Sequence, residues 1–188
     1  IVAKHEDINL SISATTRKPR VGEVEGKSYF FKTKEEFEAM VDRGEFLEHA
    51  MIYDNYYGTP KKAIFDELDM GRDVILEIEM QGAMQIKEVY PQAVFIFVLP
   101  PSLQELRNRI VGRGTETEEQ IEKRFNSAYD EIKLLGDYDY FIFNNIVEKS
   151  SEEILNILEV EKNKVSRYKK DILDMFEKEI KNVKTIIK

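Results

Sequence analysis

No cysteine occurs anywhere in these 188 residues, which excludes a disulfide framework and any thiolate metal site and makes the cytoplasm the expected compartment. Histidine is nearly as scarce, and His5 and His49 alone do not make a histidine triad or a histidine zinc site. No apolar run approaches the roughly 20 residues that cross a bilayer, and nothing ahead of the first strand reads as a signal peptide, so no membrane partner is expected. Positive charge is in deficit too. With 28 Lys and Arg against 36 Asp and Glu the net charge is −8, so the general basic field that attracts nucleic acid is missing and any anion site must be local. What remains, at 42% hydrophobic and 34% charged residues, is the composition of one soluble domain long enough to bury a sizeable core.

The chain is organised around Ser11-Ile12-Ser13-Ala14-Thr15-Thr16-Arg17-Lys18-Pro19-Arg20, followed by Gly22, Glu23, Gly26 and Tyr29. A short strand from Ile8 to Ser13 runs into a hydroxyl-rich turn. Pro19 blocks helix propagation, so Arg17 and Arg20 can converge on one object instead of lying along a helix face. A phosphate suits them, because guanidinium forks match its oxygens and Thr15 or Thr16 can complete the cradle. Taken alone, the same pair reads first as two arginines on a solvated loop, and it is the residues that follow which favour the phosphate.

Residues 1–7 read as the last turns of a helix, and Ser28 to Lys32 as an aromatic strand. Thr33 with Glu36 forms a capping box for a helix that Gly44 stops. Phe46 to Tyr53 is a strand carrying Glu48; Thr59 caps the next helix with Pro60 at its first position, and that helix ends at Gly71. The apolar runs Asp73 to Ile78 and Ala93 to Leu99, separated by a helical stretch over 82–89, read as buried parallel strands. Ser102 with Glu105 opens a helix to Gly112, Thr117 with Gln120 opens the next, and Tyr140 to Phe143 is another short strand. Ser150 with Glu153 is expected to cap a final helix, leaving an amphipathic charged tail. The alternation predicts an α/β fold with a parallel sheet covered on both faces and ligands at the carboxyl ends of its strands. Ser13, Glu77, Glu79 and Asn144 all terminate apolar strand runs.

Five separated stretches, SISATTRKPRVGEVEGKSYFF, EFLEHAMIYDNYYGTP, DVILEIEMQGA, PPSLQEL with RNRIVGRGTETEEQIEKR, and YDYFIFNN, together resemble the guanylate kinase family of nucleoside monophosphate kinases. The resemblance spans roughly residues 8–155. It implies a three-layer P-loop kinase fold with a parallel core sheet (residues 1–13, 72–112 and 128–188), an inserted mixed α+β GMP-binding lobe (14–71) and a helical lid (113–127). It implies reversible transfer of the γ-phosphoryl group of ATP to GMP, giving GDP and ADP, in purine nucleotide metabolism. GMP, GDP, ATP and ADP are then the partners, Mg²⁺ accompanies ATP, and the protein is a monomer or homodimer. A guanylate kinase-like module that has lost catalysis and binds phosphopeptides is the alternative.

By the same resemblance Glu48 accepts from guanine N1–H and the N2 amino group, with Ser13 and Thr59 as hydroxyl donors to O6. Adenine would leave that carboxylate unpaired, so a site built this way rejects it by a factor of about 10⁴. Without such companions Glu48 reads as a solvated strand carboxylate and Thr59 as no more than a helix cap. The GMP phosphate is expected between Arg17, Arg20, Tyr29 and Tyr57, while Tyr56 reads as core. Glu77 and Glu79 are expected on one face of a strand end, contacting the nucleoside and, through Glu77, the waters of Mg²⁺; no dedicated metal cage is expected. Arg109, Arg113 and Asn144 match the ATP side, and Arg17, Arg113 and Arg124 the groups acting on the transferred phosphoryl.

These residues contain no G-x-x-x-x-G-K-[ST]. The family's phosphate loop is expected ahead of Ile1, with a truncated chain and a loop-less relative as alternatives; without the loop, GMP binding should survive and phosphoryl transfer be nearly lost.

Overall fold

The computed structural model describes residues 1–52, 54–112 and 117–186. It divides into two compact units, Ile1–Ala93 and Val94–Lys188.

In the first unit, a single 3-10 turn (Val2–Lys4) stands where a helix end was expected, and leads to β1 (Ile8–Leu10). There follow β2 (Ala14–Thr15), β3 (Phe30–Phe31), α1 (Lys34–Asp42), β4 (Phe46–Ile52), β5 (Asn55–Pro60), α2 (Lys61–Asp69), β6 (Asp73–Ile75) and α3 (Met80–Val89). β1 pairs with β6 in parallel, and Ser11 N–H extends the ladder to the Ile75 carbonyl at 2.9 Å. The intervening segment folds into a four-stranded sheet of order β3-β2-β5-β4, in which only β2 and β3 run parallel. The Thr33 capping box forms as expected, its hydroxyl accepting from Glu36 N–H and the Glu36 carboxylate from Thr33 N–H. Such a cap is worth about 1 kcal/mol.

One face of this sheet is a core. Ala14, Phe37 and Phe46 are buried together, and the Phe37 ring from α1 stacks on Phe46 (centroids 4.4 Å) and Tyr56 (5.3 Å). Gly58 belongs to the same face, because a Cβ there would stand 2.9 Å from Phe46 and 3.0 Å from Phe37. The sheet's other face carries the site. A β-bulge between Phe46 and Glu48 lets β4 send Phe46 into the core and Glu48 to the opposite side, which strict alternation would forbid.

In the second unit, β7 (Ile96–Leu99) and β8 (Tyr140–Phe143) form a parallel pair. α4 (Leu103–Gly112), α5 (Glu118–Ile132) and a 3-10 turn (Lys133–Asp137) connect them, and α6 (Val147–Glu161) and α7 (Val165–Ile186) follow. No helix among the described residues is long and apolar enough to cross a membrane.

Two capping expectations fail for physical reasons. Pro60, not Thr59, is the N-cap of α2, because Thr59 is still in the ladder of β5 and its hydroxyl is engaged across the sheet. The other end of α2 is as expected: the helix runs to Asp69, and Gly71 at φ +75° terminates it. Ser150 caps nothing: α6 starts at Val147, and the buried Ser150 hydroxyl donates to the Phe143 carbonyl at 3.2 Å.

Candidate nucleotide site

Strand registers assemble the site. Across β2 and β5 Ala14 stands opposite Gly58 and Thr15 opposite Tyr57, so one further step sets Ser13 level with Thr59; across β5 and β4 Thr59 stands opposite Glu48. On the other edge the parallel pairing of Ala14 with Phe30 sets Tyr29 level with Ser13. Tyr29, Ser13, Thr59 and Glu48 therefore form one row across four strands. Tyr57 lies two residues from Thr59 on the same face.

At one end of the row Glu48 is 6% exposed and Thr59 is fully buried. The Thr59 hydroxyl donates to Glu48 Oε1 at 2.5 Å. Burial pushes the Glu48 carboxyl above the usual range, opposed by hydrogen bonds from the Thr59 hydroxyl and backbone N–H. Helix α3 closes over this carboxylate. Gln85 exchanges two hydrogen bonds with the backbone of His49 on the sheet edge, its amide donating to the carbonyl at 2.8 Å and its oxygen accepting from N–H at 3.2 Å. One turn earlier Gly82 lies against Glu48 itself.

At the other end Arg17, Tyr29 and Tyr57 come together. The Arg17 guanidinium lies 5.3 Å from the Tyr29 ring centre, and the two tyrosine rings meet edge to face at 6.1 Å. Glu23 receives the fork bidentately, at 2.7 and 3.0 Å, and also accepts from Arg20 N–H at 2.7 Å. Glu23 thus takes the Arg17 fork and the Arg20 backbone N–H, while the Arg20 side chain is exposed and does not join the Arg17 guanidinium there. The hydrogen bond to Glu23, against burial and helped by Tyr57, holds Arg17 above its ordinary value; Arg17 and the Arg20 N–H hold Glu23 below its own. The sequence alone assigned Glu23 no role in the site, although it lies within the organising stretch. Its place three residues after Arg20 was the available signal.

Glu77 and Glu79 are exposed, and strand alternation does not align them as expected: β6 ends at Ile75, Glu77 lies in the connection and Glu79 is the N-cap of α3. Among the described residues no cluster of three His, Cys, Asp or Glu could cage a metal. In the second unit Arg109 and Asn144 do meet, Arg109 donating to the Asn144 carbonyl at 2.8 Å and to Glu105 at 2.8 Å. Only half of that capping box therefore forms: Glu105 N–H donates to the Ser102 hydroxyl at 3.1 Å, while the Glu105 carboxylate accepts from Arg109 instead of from the Ser102 backbone. Arg113 lies outside the described residues; Arg124 is in α5, with its side chain outside them.

The family profile for guanylate kinase matches residues 2–161. A guanylate kinase of Clostridioides difficile (strain 630) is 64% identical over 180 residues, covering 96% of this chain and 88% of that protein. One from Caldanaerobacter subterraneus subsp. tengcongensis is 53% identical over 169 residues, covering 90% and 82%. The crystal structure of guanylate kinase from Anaplasma phagocytophilum superposes with a TM-score of 0.74 at 39% identity, covering 85% of this chain and 78% of that one.

Proposed function

The chain belongs to the guanylate kinase family, and on that premise we propose that the row Tyr29, Ser13, Thr59 and Glu48 holds GMP while the arginines of the second unit serve ATP. The protein is an ATP:GMP phosphotransferase with the α/β fold of the P-loop kinases. It moves the γ-phosphoryl group of ATP onto GMP and releases ADP and GDP.

Glu48 accepts from guanine N1–H and the N2 amino group. Ser13 donates to O6, and Thr59, whose one proton is on Glu48 in the ligand-free chain, reaches O6 once the base's own N–H groups satisfy that carboxylate. Arg17, Arg20, Tyr29 and Tyr57 hold the phosphate, and Glu23 keeps the Arg17 fork extended toward it. No general base is needed, since a nucleoside monophosphate is largely dianionic at neutral pH, with a second pKa near 6. Arg109, beside the Asn144 carbonyl, faces ATP together with Arg113, while Arg113 and Arg124 in the lid (113–127) and Arg17 neutralise charge on the moving phosphoryl. Mg²⁺ would come with the nucleotide, held through its waters by Glu77 where it would supply charge neutralisation, while Glu79 contacts the nucleoside; both carboxylates are exposed, and among the described residues no cluster of three ligands forms a cage.

The observation that carries this reading is a nearly buried carboxylate and two hydroxyls level with one another on a sheet face that also carries Arg17 and two tyrosines. Isothermal titration tests it. GMP should bind and AMP bind weaker by a factor of about 10⁴. Binding of a phosphoserine peptide in place of GMP would overturn it.

A further inference from the structure

Gly82 is the third residue of α3, a position where glycine lowers helix stability relative to alanine and needs a reason to be there. Its backbone is right-handed helical and imposes no need for glycine. The reason is proximity: a Cβ at this position would stand 2.3 Å from Glu48 Oε2, 2.8 Å from Cδ and 3.2 Å from Cγ, and Glu48 alone supplies all three nearest atoms. We propose that Gly82 is a specificity-determining positioning residue, whose missing side chain leaves the space in which the Glu48 carboxylate is aimed at the acceptor base.

This rests on the guanine-reading role of Glu48. The helix cannot retreat from the carboxylate without breaking the two Gln85 bonds to His49, which anchor the same helix face to the edge of β4. Nor can the carboxylate retreat freely toward the sheet, where Thr59 is fully buried and already 2.5 Å away. An added methyl group therefore swings Glu48 out of its bond to Thr59 while leaving the backbone in place, because the atoms it meets are the far end of a flexible side chain. Gly58 provides the contrast: its added Cβ would meet the Phe46 and Phe37 rings and the Glu48 carbonyl at 2.9 to 3.1 Å, which is packing of the core.

The experiment compares Gly82→Ala and Gly58→Ala with the parent protein by thermal melting, GMP titration and carbon-13 NMR of the Glu48 carboxyl in ligand-free protein. For Gly82→Ala the expected result is a melting temperature equal to or above the parent's, a moved Glu48 titration midpoint and GMP affinity lowered about tenfold or more. Gly58→Ala should lower the melting temperature. An unmoved Glu48 signal with unchanged GMP affinity in Gly82→Ala would overturn the proposal. So would a lowered melting temperature accounting for the loss of binding, which would make Gly82 a packing residue. If the parent protein failed to bind GMP while the Glu48 signal still moved in Gly82→Ala, the nucleotide reading would fall and the positioning of Glu48 by Gly82 would stand.

Discussion

Thr59 and Glu48 face each other across adjacent antiparallel strands, and the hydroxyl of one donates to the carboxylate of the other at 2.5 Å with both side chains buried. Such a pair is a cost to folding, since burying a carboxylate is offset only partly by one hydroxyl and one backbone N–H. Glu48→Gln keeps the shape and removes the charge. GMP affinity should fall by about 10²-fold, the amide presenting a donor where guanine also donates, while the melting temperature stays equal or rises. Calorimetric titration and melting of the same samples check both halves; unchanged affinity would sink the base assignment.

Protonation offers a second test of that carboxylate. Burial raises its pKa, so in the ligand-free fold it binds its proton at higher pH than in the unfolded chain. Its contribution to stability is therefore present at pH below its unfolded value near 4.5 and is lost as pH rises through the raised folded value. On the proposed role of Glu48 binding has the opposite sense, since it is the charged form that would accept from guanine. Guanosine, which lacks a phosphate to confuse the titration, should lose affinity as pH falls through that raised value. The acid limb should vanish in Glu48→Gln.

Residue types disclosed the chemistry here better than positions did. Phe46, Glu48 and Ala50 alternate perfectly in the sequence, and nothing in them signals the bulge that sends Phe46 and Glu48 to opposite faces; only packing against Phe37 requires it. Thr59 before Pro60 carries a helix-start pattern that the sheet overrides, and Ser150 with Glu153 imitates a capping box inside a helix already begun. Gln85 was equally invisible, because its partners are backbone groups 36 residues away. By contrast Thr33 with Glu36, the β8 strand and the core role of Tyr56 were legible, since each depends on local pattern alone.

At the end of the site proposed to hold the phosphate, Glu23 fixes the Arg17 fork through two hydrogen bonds and tethers the Arg20 backbone with a third. Glu23→Ala removes that preorganisation, and GMP affinity should fall about tenfold while guanosine affinity is unchanged. Arg20→Ala should show the same split between GMP and guanosine, and Arg17→Lys should fail to preserve binding because an ammonium cannot reproduce the fork. Equal losses for GMP and guanosine would mean that these residues shape the lobe instead of holding a phosphate.

Glu161 sets a test that involves no ligand. It ends α6 at 4% exposure and accepts from the Tyr140 hydroxyl of β8 (2.8 Å), Lys164 (3.0 Å) and Arg167 in the first turn of α7 (2.7 and 3.1 Å). Burial alone would raise its pKa; Arg167, Tyr140 and Lys164 together reverse that and hold it at about 2. A depressed carboxylate contributes stability that is present above its unfolded value of 4.5 and is lost as pH falls toward 2. Glu161→Gln should therefore cost about 2 kcal/mol at pH 7, below the 3 to 5 kcal/mol typical of broken buried pairs, because Lys164 and Arg167 remain exposed enough to hydrate. Denaturant titrations at pH 7, 4 and 2.5 should show the gap between parent and variant closing through that window. A gap constant with pH would mean that the residue acts by packing alone, since only the ionised carboxylate can hold Arg167 and Lys164 to the end of α6.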